Sequence, residues 1–468
     1  MHSIKSNRGS VLIVALLFAG LIAISLTSYM KLALTSSRLA NRSFYGNAAQ
    51  NLSDTGLEQA LWSINNNTWT GTAGFTARSG YANQYQGTFP SSTTYYTFSQ
   101  GVKGQVKVWA DNNSTTPHAV AKAIITLGDG TTLIKEAEAY LSKRSYFTNG
   151  LVAKNTLTFV GNVAIDSWNS KPAGTVVPYS SSVDADNGKI ASLSVQVASI
   201  SVGNADVYGY ASVGGNSIAD ISVGSTGRVG PYGTANGVID PTRVTYDFTT
   251  NFPDVTPPTT SGYTIAAITS ATTLPISGNL PAADGKYYYS VPSITLNGHD
   301  TISITAGADV VITVTNTTGT SVQASGNSEI DIPSTSTLAM YVAADVSMTG
   351  NGVVNGTSTV PNQPLAFQLY GTRSATTAAS VGQQAIAIKG NGYLSGVVYA
   401  PNANVDVNGN GDTYGAIVCN QASMNGNGNF HYDESLATSL STSAWSVSKW
   451  RELSTASDRN TYATNLNF

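Results

Sequence analysis

Charge is what this sequence has least of. Only 10% of its residues are Asp, Glu, Lys or Arg and the net charge is −3, against roughly 25% charged residues in ordinary soluble domains. No basic block occurs, so the electrostatic footprint of a nucleic-acid binder is missing. Cysteine occurs once, as Cys419, which excludes an intramolecular disulfide and zinc sites built from several thiolates. In the run AIVC that thiol reads as a small buried hydrophobe. Histidine occurs four times, and no GxSxG elbow, HExxH helix or Walker loop is present, so neither an enzyme nor a cofactor is expected. What fills the space is Gly, Ser, Thr, Asn and Tyr, a composition suited to the cell exterior. The 41% apolar content still allows a sizeable core.

The long hydrophobic run is at the start. Residues 9–30, between Arg8 and Lys31, are uncharged, and a helix of that length covers the roughly 30 Å hydrocarbon core of a bilayer. A cleaved secretory signal, a permanent anchor and a pilin-like segment all begin this way. The apolar stretch exceeds that of an ordinary signal and lacks a clean small-x-small cut site, which disfavours the first reading. Beyond Met30, apolar residues recur at Leu39, Phe44, Ala48, Leu52, Leu57, Leu61 and Ile64, near helical periodicity. With no proline before Pro90, one continuous helix of about 80 Å is expected. Gly46 and Gly56 weaken it by up to about 1 kcal/mol each. Lys5 and Arg8 on one side of the run face Lys31, Arg38 and Arg42 on the other, so charge does not orient it.

The short basic leader ending in Arg8-Gly9, the small residue Ser10, the run VLIVALLF and the later NAAQNLSDTGLEQAL resemble the N-terminus of PilX-like minor pilins of type IV pilus systems. The resemblance implies cleavage by a prepilin peptidase between Gly9 and Ser10, a cytoplasmic leader and an outward-facing body. It implies assembly with other pilins or pseudopilins after residence in inner-membrane lipid, then display on a pilus or the cell surface. The sequence departs from the major-pilin pattern at Ser10, where a methylated Phe is usual, and at Val14, where a Glu is usual. A charge pair in hydrocarbon is costly when half-made. A subunit with Val14 therefore suits a tip or low-copy position; the alternative is that Val14 is simply a tolerant lipid-facing site.

After Ile64 the chain turns to turn formers and aromatics, then to alternation in QVKVWA and in two runs flanking Gly128-Asp129-Gly130, a hairpin signal. From about Tyr146 one phrase recurs, as GNGVVNG (350–356), GNGYLSG (390–396), GNGDTYG (409–415) and GNGNFHY (426–432). Short β-branched runs ending in Gly-Asn at such spacing fit a stacked β-solenoid. Glycine would supply positive φ at each corner, asparagine would tolerate the same region, and its amide would bond the Asn one coil above. The corner candidates are Asn162, Asn327, Asn351, Asn391, Asn410 and Asn427. A calcium-binding nonapeptide repeat would need an aspartate in every copy, and Asp412, Tyr393, Val353 and Asn429 alternate there, which leaves only a lone site near Asp406 or Asp412 open. The stretch from Tyr399 to Leu436 resembles a domain of unknown function that follows PilX-like N-termini, extending over about 150–440. It implies architecture, with no activity attached.

HYDESL brings His431, Asp433 and Glu434 together, and a turn that closes the solenoid explains them. Tyr208, Tyr210, Tyr287, Tyr288, Tyr289, Tyr393, Tyr399 and Tyr414 could line a stripe that stacks on sugars, or serve packing. The tail after Leu436 is expected to fold back and cap the solenoid. The fold expected is α+β: a long N-terminal pilin-type helix with a small antiparallel sheet, then a large right-handed parallel β-helix-like (β-solenoid) domain. The parts would be a leader (1–9), a transmembrane half-helix (10–30), an amphipathic helix with a small sheet (31–145), a solenoid (146–436) and a capping tail (437–468). The function expected is a structural minor pilin or pseudopilin with the solenoid at or near the tip, for assembly priming or adhesion. The alternatives are an anchored adhesin or polysaccharide-binding β-helix protein touching surface glycans, and a β-helical carbohydrate enzyme.

Overall fold

The computed structural model describes residues 8–113, 116–143, 145–349, 351–357, 360–361, 363–390, 393–438 and 445–468. The chain divides into two compact units, Met1–Lys143 with Ala444–Phe468, and Arg144–Ser443.

The first unit is built on α1 (Arg8–Asn66), an unbroken helix. Its C-terminal third buries Tyr45, Ala49, Leu52, Leu57, Ala60 and Ile64, a stripe at the spacing of one helical face. That stripe lies on an antiparallel sheet of β1 (Phe75–Ala77), β2 (Gln84–Phe89), β3 (Tyr96–Thr97), β4 (Lys103–Asp111), β5 (His118–Thr126) and β6 (Thr132–Lys143). The β5–β6 turn forms where the sequence places it. Asp129 accepts from the Thr131 amide at 3.0 Å and Gly130 has φ +83°, the positive φ that favours glycine. Gly56 is more than a weak point in the helix. A Cβ there would lie 2.8 Å from Val108 Cγ2 and 2.9 Å from Val106 Cγ2, so its absence lets α1 settle directly on β4.

Contrary to the expectation of a capping tail, residues 445–468 belong to the first unit. Trp445–Glu452 pairs antiparallel with β6, Trp445 opposite Lys143, and completes the first unit's sheet. The Asn65 side chain clamps that strand, accepting from the Trp445 amide at 2.7 Å and donating to its carbonyl at 3.0 Å. The helix Ala456–Tyr462 follows, and Tyr462, Leu453 and Leu466 close a small cluster with Trp109 and Val120. An edge strand with unpaired backbone groups finds its partner within its own sheet, which is why the tail returns there. The second unit is thus inserted between two neighbouring strands of the first.

Among its described residues, the second unit contains three parallel ladders. One runs through Tyr263–Thr264, Lys286–Val291, Asp309–Val314, Thr337–Val342 and Phe367–Gly371 into Tyr393–Gly409 and Thr413–Gly426. There it is joined not by a later strand but by an earlier one, Leu151–Ala153, and continues through Gly188–Ser192 and Asp206–Val213 to Val244–Thr245. The other two ladders show the same junction, at Ala422 with Leu157 and at Phe430 with Ile165. The stack therefore reads 263 to 433, then 151 to 245. Inside it, Ile312, Met340, Leu369, Val398, Ile417, Leu151 and Ile190 are buried in one register, across the junction.

This order obliges the chain to travel from one end of the stack to the other between Thr245 and Tyr263. About ten ladder steps of roughly 4.8 Å give some 48 Å. The connecting segment, extended, reaches about 60 Å. It carries Pro253, Pro257 and Pro258, which favour extended backbone, and it is tied down along its path. The Tyr399 hydroxyl donates to the Pro253 carbonyl at 3.0 Å, and Asp254 accepts from the Asn402 amide at 2.7 Å and from the Ala375 backbone at 2.9 Å.

Candidate functional site: an uncovered helix and the stack junction

The N-terminal part of α1 has no core of its own. Leu12, Leu16, Leu21, Ile24, Leu34 and Leu39 are each 59–69% exposed, and Phe44 is the last large exposed apolar residue before Tyr45 drops to 6%. Among the described residues, α1 is the one helix long and apolar enough to cross a membrane, with a mean hydropathy of 2.3 over its most apolar window. Large apolar side chains gain roughly 1.5–3 kcal/mol each on burial, so a run of this length demands an apolar partner, whether lipid or protein. Val14 is 49% exposed on this surface. Gly9 and Ser10 fall in the first turn of α1.

The corner residues of the repeat behave differently from one another. Gly390, Gly409, Gly426 and Gly161 stand in register on successive coils. Gly426 has φ +128° with a would-be Cβ 2.2 Å from the Gly409 carbonyl oxygen, and Gly161 has φ +111° with the same clash at 2.4 Å from Gly426. Glycine is required at these two corners by backbone angle and by close approach together. Asn410 and Asn427 follow two of these glycines, and Asn427 Nδ2 lies 3.4 Å from Asn410 Oδ1. Asn351 donates to the backbone carbonyl of Asn327 at 3.3 Å. Asn162 is exposed after Gly161 and makes no side-chain hydrogen bond among the described residues. Asn391 lies outside the described residues. Positive φ falls on the glycines, at Gly161, Gly409 and Gly426, and Asn162, Asn327, Asn410 and Asn427 do not share it.

A tighter asparagine ladder lies at another corner, which sequence reasoning missed. Asn155 donates to Asn420 at 2.7 Å and Asn420 to Asn404 at 2.9 Å. Asn420 in the middle is buried, where a satisfied hydrogen bond counts most, and Asn155 and Asn404 on either side of it are exposed. Asn404 and Asn420 stand just before alternating apolar runs (NVDV, NQASM), a signal present but hidden by the louder Gly-Asn phrase.

The tyrosines do not form one stripe. Tyr341, Tyr370 and Tyr399 occupy one register on successive coils, with Tyr341 and Tyr370 stacked at 4.7 Å and Tyr399 on Tyr146 at 4.6 Å. The proline-bearing segment lines the same cleft of about 220 Å³ through Pro253 and Val255. Tyr210 stands apart under Arg243, 4.4 Å from ring to guanidinium. Tyr414 sits beside His431, and Tyr289 packs inside with its hydroxyl accepting from the Ile276 amide at 2.9 Å.

HYDESL is bonded across the junction. His431 Nδ1 is 2.6 Å from Asp166 Oδ1, and Nε2 is 3.8 Å from Asp412 Oδ2. Tyr179 donates to Asp166 at 2.6 Å and covers the imidazole at 3.8 Å. Burial pulls the His431 pKa down, but hydrogen bonds and charges from Asp166 and Asp412 outweigh it and leave it above its ordinary value. Asp433 is opposite: burial holds its carboxyl above the usual range, against hydrogen bonds from Ser170 and Ser435. Tyr432 points the other way, as alternation requires, and its hydroxyl donates toward the Phe147 and Thr148 carbonyls at 2.9 and 2.8 Å. No group of three or more His, Cys, Asp or Glu residues placed to hold a metal occurs among the described residues. Cys419 is fully buried, and burial pushes its thiol pKa up. Every group in HYDESL has a structural partner at the seam.

Residues 253–439 match the family model of a domain of unknown function (DUF7305). No curated protein matches the chain. Among solved structures, the chain is similar to the competence-associated pilin ComZ from Thermus thermophilus, with 12% identity over 86% of this chain and 96% of that chain and a TM-score of 0.23. The family match takes in the proline-bearing segment and the coils from 263 to 433, and leaves out the coils from 151 to 245 that stack on them.

Proposed function

We propose that the protein is a PilX-like minor pilin or pseudopilin of a type IV pilus-like filament. In this reading it is made as an inner-membrane precursor, cut by a prepilin peptidase between Gly9 and Ser10, and assembled with other pilins through α1. Its second unit is a right-handed β-solenoid, the hand that parallel crossovers take in about 98% of cases. The solenoid is displayed at or near the fibre tip, for assembly priming or adhesion, and has no catalytic role and no cofactor.

The observation that carries this reading is the division of α1 at residues 44 and 45. One part is packed on an antiparallel sheet, and the other is continuous, uncharged over residues 9–30, and bare. A helix solvated first by lipid and later by sister helices needs that division. The insertion of the solenoid between β6 and Trp445–Glu452 also supports it, because the helix-and-sheet unit is complete without the inserted coils.

Mass spectrometry of sheared filaments tests the reading. A mature chain beginning at Ser10 is expected. An intact Met1 in filaments would favour the permanently anchored adhesin instead. A panel of acidic and neutral glycans is expected to remain uncleaved.

A further inference from the structure

A cavity of about 510 Å³ opens on the outer face of the second unit, lined by Asn149, Asn187, Lys189, Tyr210 and Glu434 among others. Its volume falls in the range of about 300–1,000 Å³ typical of small-ligand sites. Its walls come from both sides of the junction: Asn149 where the chain enters the unit, Glu434 where it leaves, and Lys189 and Tyr210 from neighbouring coils in register.

The walls are held in advance of any ligand. The Glu434 carboxylate accepts through Oε1 from Ser167 Oγ at 2.7 Å and Asn187 Nδ2 at 3.1 Å, and among the described residues no hydrogen bond engages Oε2. One face of the Tyr210 ring is held by Arg243, itself anchored by donating to the Asp186 carbonyl at 2.9 Å and pairing with its carboxylate at 3.6 Å. Among the described residues, the Lys189 ammonium has no hydrogen-bond or ion-pair partner. The cavity thus offers three ammonium donors, one free carboxylate oxygen, an amide at Asn149 and an aromatic ring within one small volume.

We infer that this cavity is a binding site for a neutral saccharide unit. Its single cation and single anion cancel, which disfavours a charged ligand, since either sign would meet repulsion as well as attraction. A sugar hydroxyl both donates and accepts, so adjacent hydroxyls can satisfy Lys189 and Glu434 Oε2 at once. The apolar face of a pyranose ring suits the Tyr210 edge and ring, whose rigidity limits the entropy cost of contact. The site lies outside everything assigned to the helix, and it stands or falls independently of the filament reading.

The test uses the full chain in detergent micelles, titrated with maltotriose, mannotriose and chitotriose as neutral probes and trigalacturonate as the acidic comparator. Saturation-transfer NMR and calorimetry provide the readouts. At least one neutral trisaccharide is expected to bind, with affinity falling about tenfold or more in Tyr210→Ala and in Lys189→Ala. Circular dichroism checks that each variant is folded, and Lys189→Ala, on an outward position, guards against loss of fold in Tyr210→Ala. Absence of saturable binding by all three neutral probes up to about 10 mM, tighter binding of trigalacturonate, or native affinity in both variants would overturn the proposal.

Discussion

The two units solve the same problem, a core for a chain poor in charge and without disulfides, in different ways. In the first, a helix lies across a sheet, and its core depends on one close approach, Gly56 over Val106 and Val108. In the second, identical positions of successive coils stack, and the core is a set of aliphatic columns such as Ile417 on Leu151. The helix unit takes its last strand from the far end of the chain, and the coil unit takes its middle contact from two segments some 266 residues apart, Ile417 to Leu151. Both are closed by remote pieces, but only the coil unit is permuted, because a stack of equivalent rungs accepts a rung from any point in the sequence.

The largest effect that sharpens this contrast is expected at the junction. Ile417→Ala should destabilise the second unit by about 2–5 kcal/mol and leave amide exchange in the first unit unchanged. Hydrogen exchange with mass spectrometry resolves the two, and equal loosening of both would mean they do not have separate cores. The mirror experiment is Gly56→Ala. Its added methyl should cost about 1–3 kcal/mol in the first unit through overpacking, despite a helix-propensity gain of up to about 1 kcal/mol; unchanged or raised stability in urea would remove the close approach as a constraint. A smaller loss, about 0.5–1.5 kcal/mol, is expected for Asn420→Ala, which removes the bonds of this buried amide to the exposed Asn155 and Asn404. Asn162→Ala, at an exposed corner, should change urea stability by less than about 0.5 kcal/mol.

The smallest effect has opposite signs in the two units. His431, facing Asp166, Asp412, Tyr179 and Tyr414, has a raised pKa, so its contribution is complete below 6.5 and fades as pH rises through the folded value. His118 is lowered, by burial first, with Glu138 and Asp111 opposing and Arg451 assisting, while Tyr140 and Tyr462 pack on its ring. The unfolded chain therefore takes up that proton before the folded one, and the first unit loses stability as pH falls below 6.5. Unit-resolved exchange between pH 5.5 and 8, about the range of histidine titration, should show the two slopes crossing. Parallel slopes would contradict the assignment.

The sequence made α1 legible because one periodicity runs unbroken from Leu39 to Ile64, and the GDG turn because its residues demand it. The Gly-Asn phrase revealed stacking, since Gly426 and Gly161 can be nothing else at those corners. It could not reveal the order of the stack, because Leu151 carries no mark that its neighbour is Ile417 rather than a residue of the next coil. The return of Trp445–Glu452 was hidden for a related reason. A terminal amphipathic strand covers an edge wherever one is open, and local pattern does not say which. The cavity at Lys189 and Glu434 was invisible because its walls meet only after the permuted coils are in place.

The central claim is that residues 12–44 of α1, bare in the single chain, are covered in the working state. Leu26→Cys, in isolated filaments, can be challenged with a water-soluble maleimide and the labelled residue identified by peptide mass spectrometry; in the folded chain Cys419 is buried with its thiol pKa pushed up, and in denaturant its label is told apart by position. The account expects Cys at that position to be protected in intact filaments and to react once they are dissociated in detergent and denaturant. Prompt labelling in intact filaments would contradict it.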